Sequence, residues 1–203
     1  MSVPKRPPLD RDAAAAAAAR FAIIAEPDIA YALVDTPVGK VMAAQTKRGL
    51  ACLGYVDRHG NAEHFVEELS TSLSPRILEA PARLDVVRRE LEEYFEGKRH
   101  AFDLNIDLSL IKTPFAKRLL QATARIPFGA VSTYKGVAAR AGSPRGFRAA
   151  GNALGSNPIP IIVPCHRVLH SGGGLGGYTG GLERKRVLLS VEGLLGASPG
   201  IAR

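Results

Sequence analysis

Residues 132–155 read STYKGVAARAGSPRGFRAAGNALG, two short helical runs joined by a tight turn. Ser132-Thr133 supplies a hydroxyl N-cap for a helix through Tyr134, Val137, Ala138 and Arg140. Gly142-Ser143-Pro144 breaks that helix, and Arg145–Gly155 reads as a second one. Ala149, Ala150, Gly151 and Ala153 leave the second helix with almost no side-chain bulk on one face. Two helices in this arrangement suit a DNA-binding helix-turn-helix. Arg145, Arg148 and Asn152 are its main polar groups, few for reading base edges in a major groove, so the small face suits a narrow groove better. The same face would also let the helix pack against a neighbouring element, so the pattern alone leaves both readings open.

Upstream the periodicity differs. Tyr31–Val34, Val41–Gln45 and Gly49–Tyr55 read as three strands of an antiparallel meander, with Thr36-Pro37-Val38-Gly39 as the first turn. A helix is expected over Ala62–Leu69 and another over Leu84–Phe95, where Leu84, Val87, Leu91 and Tyr94 fall on one face and Gly97 ends the run. Ala101–Leu108 alternates like a strand that closes this sheet. After a boundary near residue 109, Pro114 occupies a first helical position and Phe115–Arg125 forms the body of the next helix. The fold class is therefore α+β: a small N-terminal antiparallel-sheet α/β domain, then a mostly helical C-terminal domain with the helix-turn-helix. The expected divisions are a tail with an Ala-rich helix over 1–29, the sheet domain over 30–108, and the helix-turn-helix and active-site domain over 109–203.

Composition points to an anionic partner. Among 203 residues, 27 Lys and Arg face 19 Asp and Glu, a formal charge of +8. Cys52 and Cys165 are too few for a disulfide framework and imply a reducing compartment. Lys5, Arg6 and the Ala13–Ala19 run resemble a signal peptide superficially, but Asp10, Asp12 and Arg20 interrupt that pattern, and the run is too short to span a bilayer. It reads as a short helix after a tail of residues 1–12, with no membrane partner.

The chemistry concentrates in Asn157-Pro-Ile-Pro-Ile-Ile-Val-Pro-Cys165-His166-Arg167-Val168. An apolar run bracketed by prolines reads as a short buried strand that delivers a thiol beside an imidazole and a cation. Those neighbours raise the thiolate fraction of a group that otherwise titrates around 8.5. A lone cysteine in an apolar run is also a common core residue. In an extended chain, His166 would moreover point away from it.

The wider context is more specific. Pro164–Val168 resembles the signature of the methylated-DNA–protein-cysteine methyltransferases, the O6-alkylguanine-DNA alkyltransferase family. Ile126-Pro127-Phe128-Gly129 and Thr133-Tyr134 resemble that family's entry into its helix-turn-helix. Arg148–Ala153 and Asn157-Pro158 resemble its recognition helix and the asparagine hinge after it. Tyr178–Leu182, Lys185 and Glu192-Gly193 resemble the segment that closes its active site, and Thr36–Gly39 with Tyr94–Arg99 its N-terminal domain. The resemblance covers roughly residues 30–195.

It implies direct transfer of an alkyl group from O6 of guanine in duplex DNA to Cys165, one turnover per chain, with no cofactor. By resemblance, His166 acts as base through a water and is oriented by Glu192, while Asn157 stabilises the hinge. Tyr134 hydrogen-bonds the departing guanine, and Lys185 assists nearby. Thr179, Tyr178, Leu154, Pro160 and the Val168 backbone line the substrate pocket. Arg148 enters the base stack, with Ala149, Gly151, Asn152 and Thr133 at the DNA. O6 of a stacked guanine cannot be attacked in line, so the nucleotide must rotate out of the duplex. The chain is expected to be monomeric, cytoplasmic and nucleoid-associated in a bacterium, nuclear in a eukaryote.

The chain departs from the family in having no tryptophan and in ending Phe115–Leu120 on leucine. Cys52 reads as structural. With His59, His64 and His100 it has no metal-site spacing, so no zinc is expected. A lesion sensor that binds without repairing, and a cysteine hydrolase that turns over an acyl substrate, are the rival readings.

Overall fold

The computed structural model describes residues 26–58 and 62–195. The tail, the Ala13–Ala19 helix and His59 lie outside them.

Three strands, β1 (Ile29–Val34), β2 (Val41–Thr46) and β3 (Gly49–Tyr55), form the expected antiparallel meander. Alternation along the strands sorts the core into two layers. Ala30, Ala32, Val34, Val41, Ala43 and Leu53 face helix α2 (Asp85–Phe95) through its Val87, Leu91 and Tyr94. Ile29, Met42, Ala44 and Cys52 face the other way, onto Phe65 and Leu69 of helix α1 (Glu63–Ser72). The register shifts between Ala44 and Gln45, which returns Leu50 to the same layer as Leu53 despite their odd spacing.

The closing strand is not where the sequence reading puts it. The fourth strand is β4 (Ile77–Glu79), parallel to β1, so the order is β3-β2-β1-β4. Among the described residues Ala101–Leu108 makes a single bridge, Leu50 to Ile106. Its acidic residues divert it: Asp107 accepts from Thr46 Oγ1 at 2.6 Å and from Arg48 Nε at 3.1 Å. Asp103 N binds the buried Glu90 carboxylate at 2.9 Å. Where this segment crosses β3, Gly49 has φ +136°, and a Cβ there would lie 2.3 Å from the Asn105 carbonyl oxygen. Gly49→Ala is therefore expected to cost about 1–3 kcal/mol, read as a lower urea midpoint.

The C-terminal half follows the sequence reading more closely. Helix α3 (Pro114–Ala124) starts on proline, and Thr113 accepts from Ala116 N at 3.2 Å. Helix α4 (Tyr134–Arg140) is capped by Thr133, whose Oγ1 accepts from Gly136 N at 3.0 Å. Helix α5 (Phe147–Gly155) begins two residues later than expected because Arg145 and Gly146 belong to the turn. Helix α6 (Leu182–Val191) is the last helix among the described residues.

The expected strand before Cys165 is absent. Residues 157–163 form turns, and Ile161 has φ 73°. Prolines at 158, 160 and 164 remove the N–H donors a ladder needs, so the run is apolar because it is buried. The strand pair that does form is β5 (Ser132–Thr133) parallel to β6 (Val168–Leu169), after the cysteine. Leu53 N donates to Pro158 O at 2.8 Å, tying β3 to these turns. Leu119, Val137, Ala150, Ile159 and Leu188 share one core with the α2 side of the sheet, so the two halves are packed as one body.

Candidate active site

Cys165 opens a single helical turn, Cys165–Arg167, immediately after Pro164. Its sulfur is buried and accepts from Asn157 Nδ2 at 3.1 Å. The same amide donates to Val163 O at 2.8 Å, and its Oδ1 accepts from Ile159 N at 3.1 Å. Asn157 thus holds both the turn and the thiol. Burial raises the Cys165 pKa, while the Asn157 bond and the nearby Lys185 charge oppose the rise. Asn157→Ala removes the larger opposing effect, so the thiol should titrate at higher pH, measurable by ultraviolet thiolate absorbance.

Glu192, at the C-terminal end of α6, is the hub beneath the thiol. His166 Nε2 lies 2.7 Å from its Oε1, and Arg167 binds both of its oxygens, at 2.8 and 2.9 Å. Tyr94 OH, from the N-terminal domain, donates to Oε1 at 2.7 Å. Burial alone would raise the Glu192 pKa, but the bonds from His166 and Arg167 outweigh it and bring it to about 2. Burial lowers His166, with Glu192 opposing. Its Nδ1 is buried and bonds to no protein group among the described residues. A raised thiol beside a lowered imidazole gives a resting pair that is uncharged at neutral pH, with one imidazole nitrogen fixed on the carboxylate and the other left as acceptor.

Above the sulfur, a cavity of about 360 Å³ is lined by Tyr134, Gly151, Leu154, Tyr178, Thr179 and Cys165. The structure thus assembles most of the expected substrate residues around the thiol. Tyr134 OH is 3.5 Å from Gly177 O, and its ring packs against His170 at 5.2 Å. Thr179 Oγ1 donates to Gly155 O at 2.8 Å, and Tyr178 OH meets Tyr55 OH at 2.9 Å. Pro160 lies on a second cavity that also reaches Cys165. Arg148, Ala149 and Asn152 are exposed on α5, the helix whose Gly151 and Leu154 line the cavity, and are not themselves among its lining residues.

Lys185, expected to assist beside the substrate, sits behind the cavity wall. It is fully buried and lines neither cavity. Its amine donates to Val168 O at 2.7 Å, to Leu175 O, and to Gly177 O at 3.4 Å. Burial lowers its pKa to about 8. It acts as a clamp on the loop that walls the cavity, and it occupies the Val168 carbonyl.

Tyr94, Tyr55 and Arg184 are the residues the sequence reading left without a role, and Arg167, read there as a cation favouring the thiolate, instead binds Glu192. Arg167 NH1 also donates to Ile126 O. Arg184 lies over the Tyr55 ring at 4.5 Å, donates to Val38 O at 2.6 Å and pairs with Asp57, joining α6 to the sheet. Arg167 stood next to the Cys-His pair in sequence, which was its only signal.

A helix-turn-helix that leads within ten residues to a buried thiol on a His–carboxylate pair defines a class of DNA-binding protein built around a cysteine nucleophile. Comparison with known proteins narrows the class. Residues 29–108 match the 6-O-methylguanine DNA methyltransferase ribonuclease-like domain, and 114–194 match the DNA binding domain of the same proteins. A Methanosarcina barkeri methylated-DNA–protein-cysteine methyltransferase is 36% identical over 162 residues, covering 80% of this chain and 96% of that protein. The crystal structure of Mycobacterium tuberculosis O6-methylguanine methyltransferase superposes with a TM-score of 0.70 at 32% identity, covering 85% of this chain and 97% of that one. The same organism's protein in complex with DNA gives 0.68 at 34%, covering 80% and 92%. The chain belongs to the methylated-DNA–protein-cysteine methyltransferase family. No helix among the described residues is long and apolar enough to cross a membrane.

Proposed function

We propose that this chain repairs DNA by taking the alkyl group from O6-alkylguanine in a duplex onto Cys165, once per molecule. The observation that carries this reading is the Asn157–Cys165 contact beneath a cavity that opens beside the helix-turn-helix.

Helix α5 approaches the duplex with its small face, and basic side chains such as Arg148 offset the cost of unstacking, a few kcal/mol. Arg148 fills the gap left by the flipped nucleotide, with Ala149, Gly151, Asn152 and the cap residue Thr133 against the backbone. The guanine enters between Tyr134, Leu154, Tyr178 and Thr179. His166 Nδ1 takes the thiol proton through a water, and Glu192 stabilises the imidazolium. Asn157 hydrogen-bonds the thiolate as it attacks. The carbon–O6 bond breaks as the sulfur–carbon bond forms, and Tyr134 supplies a hydrogen bond so that the base leaves neutral. The thioether is stable, which ends the cycle. No cofactor enters the reaction. The division into a sheet domain to 108 and a catalytic domain from 109 places Tyr94 and Glu192 on opposite sides of it. The protein acts where cellular DNA lies, with the nucleoid in a bacterium or in the nucleus of a eukaryote.

Digestion of a treated duplex to nucleosides tests the reading. Restored guanine should appear in proportion to protein added. A lesion that is bound but unchanged would support the sensor reading instead.

A further inference from the structure

Cys165 lies between two cavities. The smaller holds the base in the function proposed above, on which this inference rests. The larger, about 500 Å³, extends from the sulfur under the N-terminal domain. That volume falls within the ~300–1,000 Å³ of small-molecule pockets. Its walls are Leu53, Tyr55 and Phe65 from the sheet domain, Leu110 and Ile111 from the linker, and Pro160. Glu68, Lys112 and Ser156, all exposed, stand at its mouth. Gly155, Thr179 and Cys165 belong to both cavities and form the neck between them.

A methyl group needs none of this space. In-line displacement holds O6 and Sγ on opposite sides of the reacting carbon, so any remaining substituent leaves sideways, at the neck. There Gly155 offers no side chain, and Thr179 is turned onto the Gly155 carbonyl. A long apolar substituent then meets apolar walls, and a polar tip can emerge between Glu68 and Lys112. We infer that the larger cavity receives the distal part of elongated aralkyl or alkyl O6 substituents, so that the N-terminal domain and linker set which adducts are accepted. The bonding changes are the same as for methyl: sulfur–carbon forms, carbon–O6 breaks, and the thiol proton ends on the released guanine. The tail stays in the cavity, attached to Cys165.

The test uses the full chain and two duplexes. One carries O6-methylguanine; the other carries an O6-benzylguanine whose para position bears a short chain ending in a diazirine. After transfer, irradiation and peptide mapping should place crosslinks in residues 52–55, 65–68 or 110–116. Leu110→Trp should slow transfer of the tailed group at least roughly tenfold relative to methyl. Crosslinks confined to residues 134–151 or 170–177 would overturn the inference, as would methyl transfer with no transfer of the tailed group. If neither group is transferred, the repair function itself fails and the inference falls with it.

Discussion

Cys165→Ser should leave binding to a lesion-bearing duplex intact and reduce alkyl transfer at least about a thousandfold. The sulfur is buried where the two cavities meet, while Arg148, Ala149 and Asn152, proposed above to meet the DNA, are exposed on α5 and line neither cavity, so the exchange leaves their surface unchanged. A serine hydroxyl ionises far less readily than a thiol. Neither the Asn157 amide nor the neutral His166 is strong enough to make up that difference. The second cysteine does not substitute. Cys52 faces the α1 layer of the sheet, and burial pushes its pKa up to about 12. Gel-shift binding together with a transfer assay separates the two effects. Transfer retained in this variant would remove Cys165 from the chemistry.

The second large effect concerns stability. Glu192→Ala leaves Arg167 buried without its partner and removes an acceptor from both His166 and Tyr94. Breaking one side of a buried pair costs about 3–5 kcal/mol. For a chain of this size that is a fall in Tm on the order of 6–20 °C. Glu192 also makes stability depend on pH. Its folded pKa of about 2 lies below the ~4.3 of an unfolded glutamate. Its contribution is therefore complete above that unfolded value and is lost as pH falls through about 4 towards 2. Glu192→Gln should flatten this part of the acid-unfolding curve. An unchanged curve and an unchanged Tm would show that the hub carries no folding energy.

Legibility in the sequence followed the range of the interactions. Thr113-Pro114 and Thr133 bound nearby backbone, so both helix starts could be read locally. The Val87, Leu91, Tyr94 spacing correctly placed α2 against the core, yet spacing says nothing about where a hydroxyl at Tyr94 ends. Its partner is 98 residues away. β4 has only three residues, too short to show a period, and Ala101–Leu108 had the alternation without the pairing because its Asp107 side chain turns to Thr46 and Arg48 and Glu90 takes the Asp103 N–H. The apolar run before Cys165 misled for a different reason. Burial and strand formation both select isoleucine and valine, and only the three prolines distinguished them. Lys185 was found as a candidate, but its three carbonyl partners, at 168, 175 and 177, come from the fold alone.

Intact-protein mass spectrometry after incubation with excess O6-methylguanine duplex tests the central claim most directly. The account predicts a gain of one methylene, ~14 Da, that stops at one per chain and maps to Cys165. A protein that restores guanine repeatedly without gaining mass, or that gains the methyl group elsewhere, would contradict it.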